Sequence, residues 1–184
     1  KSGKRAKNAK KYYEWGDNNN KVHDLVLQLK RNNNDLTKNS TKITVNNYVI
    51  LSNVKYNLVA VVIHTGESIE SGHYISYVKR LNDKNEIKWY EINDEKDRNV
   101  DINDSNIKDT IEQNGTIFLY RKGNNILNNL PNPKGLKNNY ATCYMNSILQ
   151  LLNTTYTVLN NQKKFPKLCQ FVQKVFNNSK YPYK

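Results

Sequence analysis

Apolar and polar residues alternate with a period of two over much of the first 121 positions, the signature of strands half-buried in a sheet. Val22–Arg31 predicts a strand, with Leu25, Leu27 and Leu29 on one face and Val26 on the other. Asn32–Lys42 reads as a loop, and Ile43–Val45 and Tyr48–Leu51 are short strand candidates. Tyr56–His64 is nearly continuous apolar and β-branched, which predicts a central strand covered on both faces. A Gly-bracketed loop from Thr65 to Gly72 leads into His73–Leu81, which alternates again. Asn82–Asn85 is a hairpin turn, and Glu86–Ile92 returns as its partner until Asn93-Asp94 ends it. Asp104–Gln113 predicts a short helix capped by Asp104, and Thr116–Arg121 a last strand.

The period then changes. Lys122–Lys134 holds asparagine runs with Pro131 and Pro133 and reads as a linker. Beyond it Met145, Ile148, Leu149, Leu151 and Leu152 recur at helical spacing, with Thr142 as the expected N-cap of a helix over about 143–153. A second helix is predicted over about 165–177, where Cys169 lies among Leu168, Phe171, Val172 and Val175 and reads as core. The sum is an α+β fold, an antiparallel sheet packed against a small helical part. Its organisation is a basic arm over 1–20 whose aromatic end (Tyr12, Tyr13, Trp15) docks, a sheet part over 21–121, a linker over 122–134 and a helical part over 135–184. At 184 residues these make one domain.

Charge changes this picture little. The net charge is +13, but lysine is spread through the chain instead of forming one focused footprint. A nucleic-acid partner therefore rests on net charge alone, and such binding would fall steeply with salt. The chain has two cysteines, too few for a disulfide framework, and no Cys-x-x-Cys pair of the zinc-ribbon kind. No apolar run approaches a membrane span, and no signal peptide is visible, so neither a membrane nor a cofactor is expected and a cytoplasmic or nuclear setting is.

The candidate chemistry lies in two stretches. Cys143 falls at the first position of the predicted helix, where free N–H groups and the helix dipole favour a thiolate. A cysteine nucleophile needs a base, and the base needs an orienting partner. Of the three histidines, His23 and His64 sit within strand patterns and read as structural. His73 follows Gly72 at a loop-to-strand junction, where an imidazole can face a cleft.

The run Gly135-Leu-Lys-Asn138, then Thr142-Cys-Tyr-Met-Asn-Ser147 and Leu149-Gln150, resembles the cysteine box of the ubiquitin-specific proteases, papain-like cysteine deubiquitinases. That likeness covers about eighteen residues, with Tyr140 where the family usually has Gly. Tyr56–Gly66, Ser71–Lys79 and Trp89–Asp94 resemble the same family's histidine box over about forty residues. Leu25–Arg31 is similar to its upstream Leu-Lys-Arg strand, with Asn32 where Phe usually follows, and Phe118–Arg121 to its closing strand.

The resemblance implies a papain-like fold, ubiquitin or a ubiquitin-like protein and its conjugates as partners, and hydrolysis of the bond after the modifier's C-terminal glycine. It implies Cys143 as nucleophile, His73 as the group that takes and returns the proton, and Asn93 as the third member, with Asp94 sharing that task. Asn138 would donate to the oxyanion together with the Cys143 N–H. Gly72 would let the diglycine tail approach the backbone, and Tyr74 would line its channel. Acidic groups such as Glu67, Glu70 or Glu91 would suit the basic tail of ubiquitin. No zinc-ribbon fingers are expected.

In the family the cysteine box comes first, whereas here His73 precedes Cys143. The order implies a circular permutation, with the 122–134 linker joining surface termini. A junction between tandem protease units and an engineered joining are the other origins of such an order. A catalytically silent ubiquitin-binding scaffold on the same fold is the alternative function.

Overall fold

A computed structural model describes residues 22–31, 33, 35–68, 70–123, 132–138, 141–155 and 166–178. The expected arm over 1–20, residues 124–131 of the linker, and Tyr140 lie outside the described residues. Seven strands form one antiparallel sheet: β1 (Asp24–Gln28), β2 (Tyr48–Leu51), β3 (Val54–Thr65), β4 (His73–Leu81), β5 (Ile87–Asn93), β6 (Lys96–Val100) and β7 (Gly115–Lys122). Among the described residues three helices accompany it: α1 (Ser105–Asn114), α2 (Cys143–Leu152) and α3 (Pro166–Asn178). The sheet order is β1-β7-β3-β4-β5-β6, with β2 paired to the start of β3.

β3 is central, as its β-branched run predicts: Val59 to Ile63 are fully buried. Its residues alternate between two cores. One face carries Leu58, Val61 and Ile63 with Tyr77, Val100, Ile111 and Phe118, so α1 covers it. The other carries Val59, Ala60 and Val62 with Val78, Ile92, Leu119 and Leu151, so α2 covers that one. α1 starts where Asp104 caps it, its carboxylate accepting from the Asn106 and Ile107 N–H groups at 3.0 and 3.2 Å.

Three expectations need correction, and one strand is added. Ile43–Val45 is not a strand: its amides reach the α1 end, Ile43 donating to the Glu112 carbonyl and Val45 to the Glu112 carboxylate. β1 is shorter than predicted, and it is an edge strand, so Leu25 is buried while Val26 and Leu27 are exposed. Asn93-Asp94 ends β5 as expected, and an unexpected strand, β6, pairs with β5 directly after the turn. Thr142 holds the N-cap position of α2, yet its side chain makes no cap hydrogen bond; its N–H and hydroxyl both turn to Asn138 Oδ1, at 3.0 and 3.1 Å.

Buried arginines tie these layers together. Arg31 donates to the carbonyls of Gly115, Asn39, Thr41 and Glu112, closing the loop after β1 against the α1–β7 junction. Arg80 and Arg121 have no exposed surface. Both reach the end of α2, Arg80 through the Gln150 carbonyl and side chain and Arg121 through the Thr154 carbonyl. Arg121 also pairs with Asp24 across β1–β7 at 2.8 Å. Breaking a buried pair leaves a charge uncompensated. Asp24→Ala is therefore expected to lower stability by about 3 kcal/mol, seen as a fall of the urea midpoint by about 1 M or more.

The chain before α2 docks on the turn between β5 and β6. Leu136 N–H donates to the Asp94 carbonyl at 2.7 Å, and Gly135 packs flat against the turn. A Cβ at Gly135 would lie 2.3 Å from the Glu95 carbonyl oxygen. Gly135→Ala thus forces these backbones apart, and overpacking of this kind costs about 1–3 kcal/mol. The expected result is a lower Tm together with faster amide exchange at Leu136, while exchange within β3 is unchanged.

Candidate active site

The two stretches singled out in the sequence meet at one end of the sheet. His73 is the first residue of β4 and Asn93 the last of β5, so antiparallel pairing brings both to that end. His73 Nε2 lies 2.6 Å from Asn93 Oδ1. An amide oxygen only accepts, so Nε2 carries the proton and Nδ1 is left as the basic nitrogen. Asp94 Oδ2 stands further off, 3.8 Å from the same Nε2. Of the two neighbours it is therefore Asn93 that orients the ring.

Asp94 has a different set of partners. The turn joining Asn93 to Lys96 puts Asp94 at φ 52°, a conformation that aspartate tolerates better than most residues. Its carboxylate accepts from Asn138 Nδ2 and from Asn146 Nδ2, each at 2.8 Å. Asn138 belongs to the chain before α2, and Asn146 to the first turn of α2. One acidic side chain thus binds the loop and the helix that flank Cys143. Asn146 was not among the residues expected from the sequence. Its signal was available in the spacing, since a helix places residue 146 on the same side as residue 143.

Cys143 is buried at the start of α2. Among the hydrogen bonds of the described residues, none joins Cys143 to His73. Burial raises the Tyr74 hydroxyl above its usual range, and a thiolate at nearby Cys143 would raise it further. The Tyr74 ring lies against His64, centroids 4.4 Å apart. His64 is buried, and burial first, then Lys38 and His73, holds it below the ordinary histidine range. It is a neutral supporting ring, in keeping with its strand setting.

Asn138 is held from both ends. Its oxygen accepts from Thr142, and one of its two amide hydrogens goes to Asp94, which leaves the second hydrogen to point elsewhere. Gly72 has φ 143°, and a Cβ there would lie 2.1 Å from the Thr65 carbonyl oxygen and 2.5 Å from His64 Nε2. Its lack of a side chain is demanded by the β3–β4 loop itself. Glu67 and Glu70 are exposed on that loop. Glu91 is elsewhere: it accepts from Tyr77 at 2.8 Å and from Arg98, on the sheet face opposite α2. No cluster of three His, Cys, Asp or Glu side chains able to hold a metal occurs among the described residues. Among them, too, no helix is long and apolar enough to cross a membrane.

Comparison with known proteins adds a family. Residues 8–120 match the family model described as ubiquitin carboxyl-terminal hydrolase, a span that holds His73, Asn93 and Asp94 and ends before Cys143. Solved structures similar to this chain include an essential yeast splicing factor, at 19% identity and a TM-score of 0.42, over 55% of this chain and 25% of that one. Another is the Saccharomyces cerevisiae Pan2 pseudoubiquitin hydrolase–RNA exonuclease module in complex with AAUUAA RNA, at 19% identity and a TM-score of 0.40, over 55% of this chain and 20% of that one. The chain therefore spans a quarter or less of the length of these structures. With more than half its residues matched by the family model, and a mixed α/β fold built on an antiparallel sheet, the chain belongs to the ubiquitin carboxyl-terminal hydrolase family.

Proposed function

We propose that the chain is a thiol-dependent deubiquitinase, hydrolysing the isopeptide or peptide bond after the C-terminal glycine of ubiquitin or a ubiquitin-like modifier. The observation that carries this reading is the binding of the Cys143 segment to the Asp94 turn. Asn138 and Asn146 from one stretch donate to the carboxylate next to Asn93 in the other. The parts needed for acyl transfer, nucleophile, base, orienter and oxyanion donors, thereby come from two stretches that are hydrogen-bonded to each other.

The chemistry follows from the donors. His73 Nδ1 takes the Cys143 proton, since Nε2–H is engaged by Asn93. The sulfur attacks the glycine carbonyl carbon, and the electron pair moves to its oxygen. That oxyanion is met by the Cys143 backbone N–H and the second amide hydrogen of Asn138. On collapse the C–N bond breaks, and the imidazolium gives its proton to the departing lysine amine. Water, deprotonated by His73, then attacks the thioester and frees the thiol. Asp94 fixes Asn138, and its Oδ2, 3.8 Å from Nε2, faces the imidazolium that forms when His73 takes the proton. Exposed Glu67 and Glu70 suit the basic tail of ubiquitin, and Tyr74 the channel along which it runs.

The reversed order of the two stretches reads as a circular permutation of the family's layout without its zinc-ribbon fingers. A tandem junction whose halves belong to different sites would not call for contacts as specific as those at Asp94. A second reading is a ubiquitin-binding scaffold without activity. One observation favours it: among the hydrogen bonds of the described residues, none joins Cys143 to His73.

Ubiquitin carrying a thiol-reactive group at its C-terminus separates these readings. The expected outcome is a covalent adduct, seen as a mass shift, that is lost in Cys143→Ala and His73→Ala. Binding of unmodified ubiquitin without an adduct would establish the scaffold instead. Asn93→Ala is expected to lower kcat/KM by about 100-fold while leaving the melting temperature within a few degrees, because the ring loses its orienter and not its packing.

A further inference from the structure

Asn146 is a buried polar side chain, 8% exposed, on the first turn of α2. Its backbone N–H makes the opening bond of that helix, to the Thr142 carbonyl at 2.9 Å. Its amide nitrogen has three acceptors: Asp94 Oδ1 at 2.8 Å and the carbonyls of Leu136 and Lys137, each at 3.3 Å. An amide nitrogen has two hydrogens. One goes to the carboxylate, and the other is shared by the two carbonyls. Asn146 thus touches all three parts that must keep register: the Cys143 helix, the loop leading to Asn138, and the turn next to Asn93.

We infer that Asn146 is a positioning residue for the reaction of Cys143, acting through Asp94 and the 136–138 loop; this rests on the deubiquitinase reading for the identity of the substrate only. Asp94 Oδ1 faces Asn146 and Oδ2 faces Asn138, so the two amides hold the carboxylate in one orientation. Without Asn146 the carboxylate loses one of these two ties. The Leu136 and Lys137 carbonyls lose a shared donor at the same moment. Asn138 then no longer has a fixed direction relative to the Cys143 N–H, and the distance from α2 to His73 is no longer set by a side chain. The loss falls on the reacting geometry and spares the surface that would bind the modifier body.

Two variants and two reagents test this. Reaction of Cys143 with the ubiquitin probe reads the complete site, and alkylation by iodoacetamide, followed on the Cys143 peptide by mass spectrometry, reads the thiol alone. In Asn146→Ala the probe reaction is expected to slow by about 100-fold, as for the loss of an oxyanion donor, with the Kd for unmodified ubiquitin unchanged. Cys143 alkylation at pH 7 is expected to slow as well, by about 10-fold, because His73 is no longer in register with it.

Asn146→Asp keeps the shape but sets a second carboxylate against Asp94, where Nδ2 now lies 2.8 Å from Oδ1, with His73 Nε2 3.8 Å from Oδ2. Two carboxylates at that spacing require a shared proton. The probe rate of Asn146→Asp relative to wild type is therefore expected to rise as pH falls from 8 to 6, and that of Asn146→Ala to stay flat. A merely structural role would lower the melting temperature of both variants and leave their reaction rates at the wild-type value well below that temperature, which would overturn the inference. If wild-type Cys143 is alkylated but forms no ubiquitin adduct, the deubiquitinase reading fails. The inference about Asn146 then stands or falls on the alkylation rates.

Discussion

A single carboxylate accepting from two side-chain amides, Asn146 buried and Asn138 half-buried, is the contact on which the site depends. Asp94 has its backbone in the β5–β6 turn, its carbonyl on the Leu136 amide, and its two side-chain oxygens on Asn138 and Asn146. Hydrogen bonds to an ionised acceptor are worth about 1.5–3 kcal/mol each. These bonds stand between segments more than forty residues apart in sequence. They join two stretches that are separate in the chain, the one that carries Cys143 and the one that carries His73 and Asn93. Gly135 is a condition of the same contact, because no side chain fits between it and the turn.

The sheet supplies the rigidity that this contact needs. β3 is buried on both faces, and each face has its own helix, so β4 and β5 are held in place before any residue of the site is considered. At the far end of α2 the fully buried Arg80 and Arg121 bind Gln150 and Thr154. The helix is therefore anchored twice, at its start by Asp94 and beyond its end by two guanidinium groups. Cys143, its first residue, takes its position from both anchors.

Much of this was legible in the sequence where one physical signal dominated. The β-branched run of β3, the alternation of β4, and Asp104 ahead of α1 each specified an element through burial or capping. β6 was not legible, because Lys96-Asp-Arg-Asn-Val100 has the polar character of an exposed edge and pairs only because the Asp94 turn delivers it to β5. Asn93, expected as the partner of His73, lies 2.6 Å from its ring, and the carboxylate of Asp94, expected to share that task, is drawn by the same turn to the two amides. Thr142 followed the rule for an N-cap in position only, since Asn138 offers its hydroxyl and its amide a closer acceptor. Asn146 stood in the cysteine stretch on the Cys143 side of the helix but without a role, because its partners are set opposite it only by the fold.

The central claim is that Asp94 joins the two halves, and a double-mutant cycle tests it most directly. Asp94→Ala, Asn146→Ala and the double variant would be unfolded in urea alongside the wild type. The account predicts a coupling free energy of about 1.5 kcal/mol or more between the two positions, as for a hydrogen bond to a charged acceptor. Strictly additive effects, with no coupling beyond the error of the measurement, would contradict it and leave the two stretches as neighbours without a common site.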